Sequence, residues 1–185
     1  MKLRFALLAV LLLSAYGCGG GGGGGSPAPA AAAVSTPTVA SGVASKGLLN
    51  ASKVCAYAIT GGAMGAQIGN CATTDAAGNY SINLGTYTGP VLFQATGGTY
   101  VDEATGATVT LATPLDSMLL NASGGNVTVA ITALTELAYQ NAGARAGGLT
   151  SANMQSAITS VQNNFGVSDI INTMPVDALT QQSPI

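Results

Sequence analysis

The chain has 185 residues, a formal net charge of −2, no histidine and no tryptophan, and only 6% of it is charged. Without histidine, neither a histidine-based catalytic triad nor a histidine metal site can form. Five basic residues with no basic run make nucleic acid and anionic lipid poor partners. Hydrophobic content is 48%, mean hydropathy is +0.43 and there are 26 glycines. Alanine supplies much of the apolar content, so the core is expected to be thin and a covalent staple useful.

Lys2 and Arg4 flank the start of an unbroken apolar run over residues 5–13. That run is too short to span a bilayer, which takes about 20 residues, and it reads as a signal peptide. It ends in Leu13-Ser14-Ala15-Tyr16-Gly17-Cys18. This ending resembles a bacterial lipobox, with Ala15 where leucine is usual and Tyr16 where a small residue is usual. The resemblance implies removal of residues 1–17 and acylation of Cys18. With glycine following the cysteine, it also implies sorting to the outer membrane of a bacterial cell envelope.

Once the leader is gone, Lys46, Lys53 and Arg145 face all seven acids. Residues 18–38 begin with the glycine run Gly19 to Gly25 and continue in Ser, Pro, Ala, Val and Thr. Without any period, they read as a disordered tether. A flexible leash of about 22 residues spans roughly 25 Å, which keeps a domain close to its lipid. Dual acylation suffices for stable anchoring, so the membrane is the first expected partner.

Residues 39–131 are expected to form an antiparallel β-sandwich. Residues 39–44 make a first strand. Residues 53–59 alternate Val54, Ala56, Ala58 against Cys55, Tyr57, Ile59. Both faces are largely apolar, which marks an inner strand. Gly61-Gly62 turns the chain into a weak strand over residues 66–72. Residues 74–79 carry a hairpin signal, with Asp75 accepting from backbone amides downstream and Gly78 free to take positive φ. Residues 80–84, 90–96 and 99–101 follow as strands, the last two separated by Gly97-Gly98. Residues 108–113, 116–120 and 127–131 complete the set.

Cys18 is committed to lipid, which leaves Cys55 and Cys71. An exported compartment permits their disulfide, and two buried thiols are the alternative. Closing a loop of this size is worth about 3 kcal/mol in the chain-entropy model.

The stretches SGVASKGLLNASKVCAYAI, TTDAAGNYSI and GPVLFQATGGTYVDEATG resemble bacterial lipoproteins with a carboxypeptidase-regulatory-like domain. The resemblance runs from about Ser41 to Leu120, on turns and core positions. It implies a seven-stranded transthyretin-like sandwich and transfers no activity.

Residues 132–175 change character. Thr132 caps a helix through Leu134, Leu137, Ala138 and Asn141, with glycines at 143, 147 and 148 ending it. Thr150 or Ser151 caps a second helix, in which Met154, Ala157, Ile158, Val161 and Phe165 form an apolar stripe with Gly166 behind it. Residues 168–171 start one more turn, and 176–185 form a polar tail. The two helices are expected to pack against the sandwich.

No catalytic constellation stands out. Cys55 lacks a base, and Ser45-Lys46 and Ser52-Lys53 lack the spacing of a hydrolytic dyad. Asp102 and Glu103 are the one adjacent acid pair and a weak calcium candidate, short of the six to eight oxygens the ion takes. No cofactor is implied. The expected role is that of a lipid-anchored envelope protein with a non-catalytic interaction or structural module, taking a protein or glycan ligand. A truncated accessory module of a larger adhesin or secreted hydrolase is the alternative.

Overall fold

A computed structural model describes residues 35–176. The expected leader, Cys18, the tether up to residue 34 and the tail beyond residue 176 lie outside the described residues. Ten strands precede two helices: β1 Thr38–Ser45, β2 Lys53–Thr60, β3 Ala63–Thr73, β4 Asn79–Gly85, β5 Gly89–Thr96, β6 Thr99–Val101, β7 Thr108–Thr110, β8 Leu115–Ala122, β9 Gly125–Thr128, β10 Ile131–Thr132, α1 Ala133–Gly143 and α2 Ser151–Phe165. The mainly β architecture with a small C-terminal helical segment is the one expected.

The first sheet is built on β1, with β4 antiparallel on one side and β9, then β10, parallel on the other. The second sheet is antiparallel throughout, in the order β3-β2-β5-β8. β6 and β7 form a separate two-stranded ribbon. This is a four-on-four arrangement with a ribbon, rather than seven strands.

Alternation decides which face is buried. Along β4, Tyr80, Ile82 and Leu84 are buried and Ser81 and Asn83 exposed, so every second residue enters the core. Across the gap, Tyr80 meets Phe93 with ring centroids 6.3 Å apart.

The apolar second face of β2 has its own cause. Tyr57, Leu92 and Met118 lie side by side across β2, β5 and β8. Leu92 and Met118 are fully buried because the helices form a third layer over that face of the sheet. Met118 shares a groove with Ile158 of α2, and the turn between the helices binds the end of β2, where the Leu149 N–H donates to the Gly62 carbonyl at 2.7 Å.

Several expectations change. The turn at residues 75–78 joins β3 of one sheet to β4 of the other. It is a crossing between layers and not a hairpin. β3 is longer than its weak pattern suggests. The run at 127–131 is interrupted, because the Ala130 N–H donates to the Ile171 carbonyl at 2.7 Å instead of to β1. Leu137 and Phe165 are exposed, at 38% and 56%. α1 instead buries Thr135, Ala138 and Ala142, and α2 buries Met154, Ala157, Ile158 and Val161. The expected turn of helix at 168–171 is a loop, in which Asp169 Oδ1 accepts from the Ile171 and Asn172 amides. Both helix starts agree with expectation: Thr132 and Thr150 accept from the amides of Thr135 and Asn153. Gly166 takes the left-handed conformation at the end of α2, φ 67°.

Gly42 decides whether the first sheet can close. A Cβ there would lie 1.8 Å from the Val129 carbonyl oxygen. That oxygen accepts the Tyr80 hydroxyl at 2.7 Å, and the Val129 N–H donates to the Ser41 carbonyl at 2.9 Å. Gly42→Ala is therefore expected to destabilise the fold by about 2–3 kcal/mol, as overpacking against backbone does. Chemical denaturation of the folded domain reads this as a lower midpoint.

Candidate functional site

Cys55 and Cys71 are joined by a disulfide, with Cα atoms 4.3 Å apart. The pairing of β2 with β3 shows how they meet. Val54 faces Ala72 and Ala56 faces Ile68, so residues 69–71 bulge out opposite Cys55. Gly69, at φ 63°, makes the bend, and a Cβ on it would lie 2.3 Å from the Asn83 carbonyl oxygen of β4. The bulge thus brings Cys71 to its partner and the edge of the second sheet against the edge of the first.

Asp75 and Gly78 sit in the turn between the layers. Asp75 Oδ1 accepts from the Ala77 and Asn79 amides, both at 2.9 Å, and Oδ2 accepts from Asn79 Nδ2 at 2.9 Å. The Asn79 side chain, then its backbone amide, holds the Asp75 carboxyl below the usual aspartate value. Gly78 has φ 75°, and its carbonyl accepts from the Ala44 N–H at 2.9 Å. Both residues serve the turn.

Asp102 lies in the loop between β6 and β7. Its Oδ1 accepts from the Thr105 N–H and Oγ1 at 2.9 and 2.8 Å, which lowers its pKa. Glu103 is exposed and lines a cleft of about 290 Å³ with Asn50, Tyr100 and Thr108. The Lys46 ammonium stands 5.9 Å from the Tyr100 ring centroid. Among the described residues, no three of the metal-binding acids and cysteines come together. Asp102 closes a hairpin rather than reaching toward a cation with Glu103.

The acids that do meet are Asp116 and Glu136, one on β8 and one on α1. Asp116 is 4% exposed. Its N–H donates to Glu136 Oε2 at 2.7 Å, its carbonyl accepts Thr135 Oγ1 at 2.9 Å, and its Oδ1 accepts Gln94 Nε2 at 3.1 Å. Gln140 Nε2 donates to Glu136 Oε1 at 2.7 Å. Burial, then the Glu136 carboxylate, pushes Asp116 up to about 7. Tyr139 is raised by burial and by the same two acids. Sequence reasoning missed this pair, because its members are twenty residues apart. The available signal was a lone acid inside the run Leu115-Asp116-Ser117-Met118-Leu119-Leu120.

The exposed face of the first sheet is uncharged. Asn126, Val39 and Asn83 lie in one cross-strand row, Thr128, Ser41 and Ser81 in the next, and Val43 and Asn79 in a third. All the polar members are exposed.

No protein-family model matches the sequence, and no curated protein matches it. Two solved structures overlap it loosely. A Pseudomonas aeruginosa protein, provisionally described as carbohydrate-binding, is similar at 15% identity over 56% of this chain and 92% of its own, with a TM-score of 0.37. The major pilin subunit of Bacillus cereus is similar at 16% identity over 52% of this chain and 29% of its own, with a TM-score of 0.34.

Replacing Cys55 and Cys71 together with serine is expected to cost about 3 kcal/mol of stability, the entropy of the loop they close. Denaturation with and without reductant checks this: reductant should lower the wild-type midpoint and leave that of the double variant unmoved.

Proposed function

We propose that the chain is a lipid-anchored protein of the bacterial cell envelope, exported behind residues 1–17, acylated on Cys18 and carried on the outer membrane. Its sandwich is a non-catalytic interaction module of the carboxypeptidase-regulatory-like kind. The observation that carries this reading is the Cys55–Cys71 disulfide. Disulfides persist in exported proteins and are rare in the reducing cytosol. The apolar run and Gly17-Cys18 supply a route out of the cytosol and a point of attachment.

The paired acids favour binding over catalysis. Glu136 and Gln94 are spent on Asp116, and Asp116 is covered by α1. The ligand is a neutral glycan docking on the uncharged face of the first sheet. Rows whose neighbouring members stand about 4.8 Å apart across the strands offer, through Asn, Ser and Thr, both donors and acceptors to hydroxyl groups. The outward rows of these strands hold no aromatic or Arg anchor of the kind that concentrates affinity for protein partners, and Met174 borders them beside Ser41, Val43, Asn79 and Thr128.

Cys18→Ser is expected to move the protein from the membrane fraction to the soluble fraction of the envelope. Metabolic labelling with a fatty acid should mark wild type and leave the variant blank. Retention of the wild-type distribution by the variant defeats the anchor. Separately, sedimentation with an insoluble neutral polysaccharide should capture the full chain and lose it on Ser81→Arg. Equal capture of both chains defeats the proposed face.

A further inference from the structure

The Asp116–Glu136 contact has a consequence beyond the envelope reading, and it stands without that reading. Two carboxyl groups meet where a strand receives a helix, and the backbone amide and carbonyl of Asp116 are both taken by α1 side chains. A charge on buried Asp116 is opposed by its burial and by the half-buried Glu136 carboxylate beside it. The Glu136 carboxylate is held beside Asp116 by the Asp116 backbone N–H, so the arrangement is favoured when Asp116 carries a proton. We propose that this contact is a proton-held catch, which keeps α1 on the second sheet in acid surroundings and slackens as the solution rises to neutral pH.

Of the groups facing Asp116, the Gln94 amide alone favours its charged form, and it is outweighed. α1 presents Glu136 and Tyr139, both of which oppose ionisation of Asp116 or are opposed by it. β5 presents Gln94, which is neutral. Neither α2 nor β10 contains a charged residue. No lysine or arginine is among the groups that shift Asp116.

Asp116 is raised from 3.8 to about 7. An acid raised by folding is protonated more readily in the folded state. Its contribution is complete below about pH 4 and is lost as pH rises through about 7. Asp75, Asp102 and Asp169 are lowered and act in the opposite sense, at the acid end. The chain has no histidine. Asp116 is the described acid raised into the range between about pH 5 and pH 8.

The test follows thermal midpoint and amide hydrogen exchange of the full mature chain from about pH 5 to pH 8. In wild type the midpoint is expected to fall by roughly 3 °C or more. Exchange in α1 should quicken beyond the base-catalysed rise measured in β1. Asp116→Asn keeps an acceptor for Gln94 and a donor for Glu136 but has no proton to lose, so it should flatten both responses. Glu136→Gln removes the opposing charge and should move the response to lower pH. A flat wild-type profile, an unchanged slope in Asp116→Asn, or loosening spread evenly over β1 and α1 overturns the catch. Should Asp116→Asn fail to fold, carboxyl-carbon NMR of wild type decides. A titration of Asp116 near 7 supports the catch, and one in the ordinary aspartate range overturns it.

Discussion

The fold turns on one close approach of backbone to backbone. β1 is the first strand of the described residues, yet it ends up in the middle of its sheet, between β4 and the strands β9 and β10 that arrive much later. Late strands can lie there because Gly42 has no side chain, which lets the Val129 carbonyl occupy that space. The same carbonyl is claimed by the Tyr80 hydroxyl from β4. One oxygen thereby ties both neighbours of β1 together across a buried position. The interruption at Ala130 follows, since its amide has turned to Ile171. That turn also links the segment after α2 to the first sheet.

This explains how a thin core suffices. Alanines at 40, 44, 56 and 95 are fully buried but contribute little area each. Stability must come from how closely the layers approach, since dispersion falls steeply with separation. Small side chains and glycines allow that closeness at Gly42, at Gly69 beside Asn83, and where Gly62 meets Gly147 and Gly148. The disulfide adds its constraint beside one of these approaches, at the bulge that carries Cys71.

What was legible in the sequence was local. Alternation located β2 and β4, short apolar runs between turns located β1, β5 and β8, and Thr132, Thr150 and Gly166 announced the helix ends. What was not legible depended on which element lies where. Asp75-Ala76-Ala77-Gly78-Asn79 makes the same hydrogen bonds whether the next strand folds back beside its predecessor or crosses to another sheet. Local turn chemistry cannot separate the two outcomes. The apolar stripe of α2 continues in sequence to Phe165, but the surface under the helix stops at Val161, so the last residue of the stripe faces solvent. The two apolar faces of β2 were read as a central strand, and it is central. The fuller reason is a third layer of helices, which a pattern confined to β2 cannot reveal. The acid pair escaped for the same reason, because a strand and a helix had to be placed before Asp116 and Glu136 became neighbours.

Scarcity of charge gives the few ionisable groups their distinct characters. Asp75, Asp102 and Asp169 each close a loop by accepting local amides, and ionisation favours that role. Asp116 occupies an interior position where ionisation is opposed, and its partner is another acid rather than a base. An arginine in place of Glu136 would form a buried ion pair, whose strength would hardly vary over the same pH range. A buried acid beside a second carboxylate instead responds to the proton concentration of the solvent. The helix–sheet contact is thus coupled to the surroundings where, among the described residues, a buried acid meets a half-buried one.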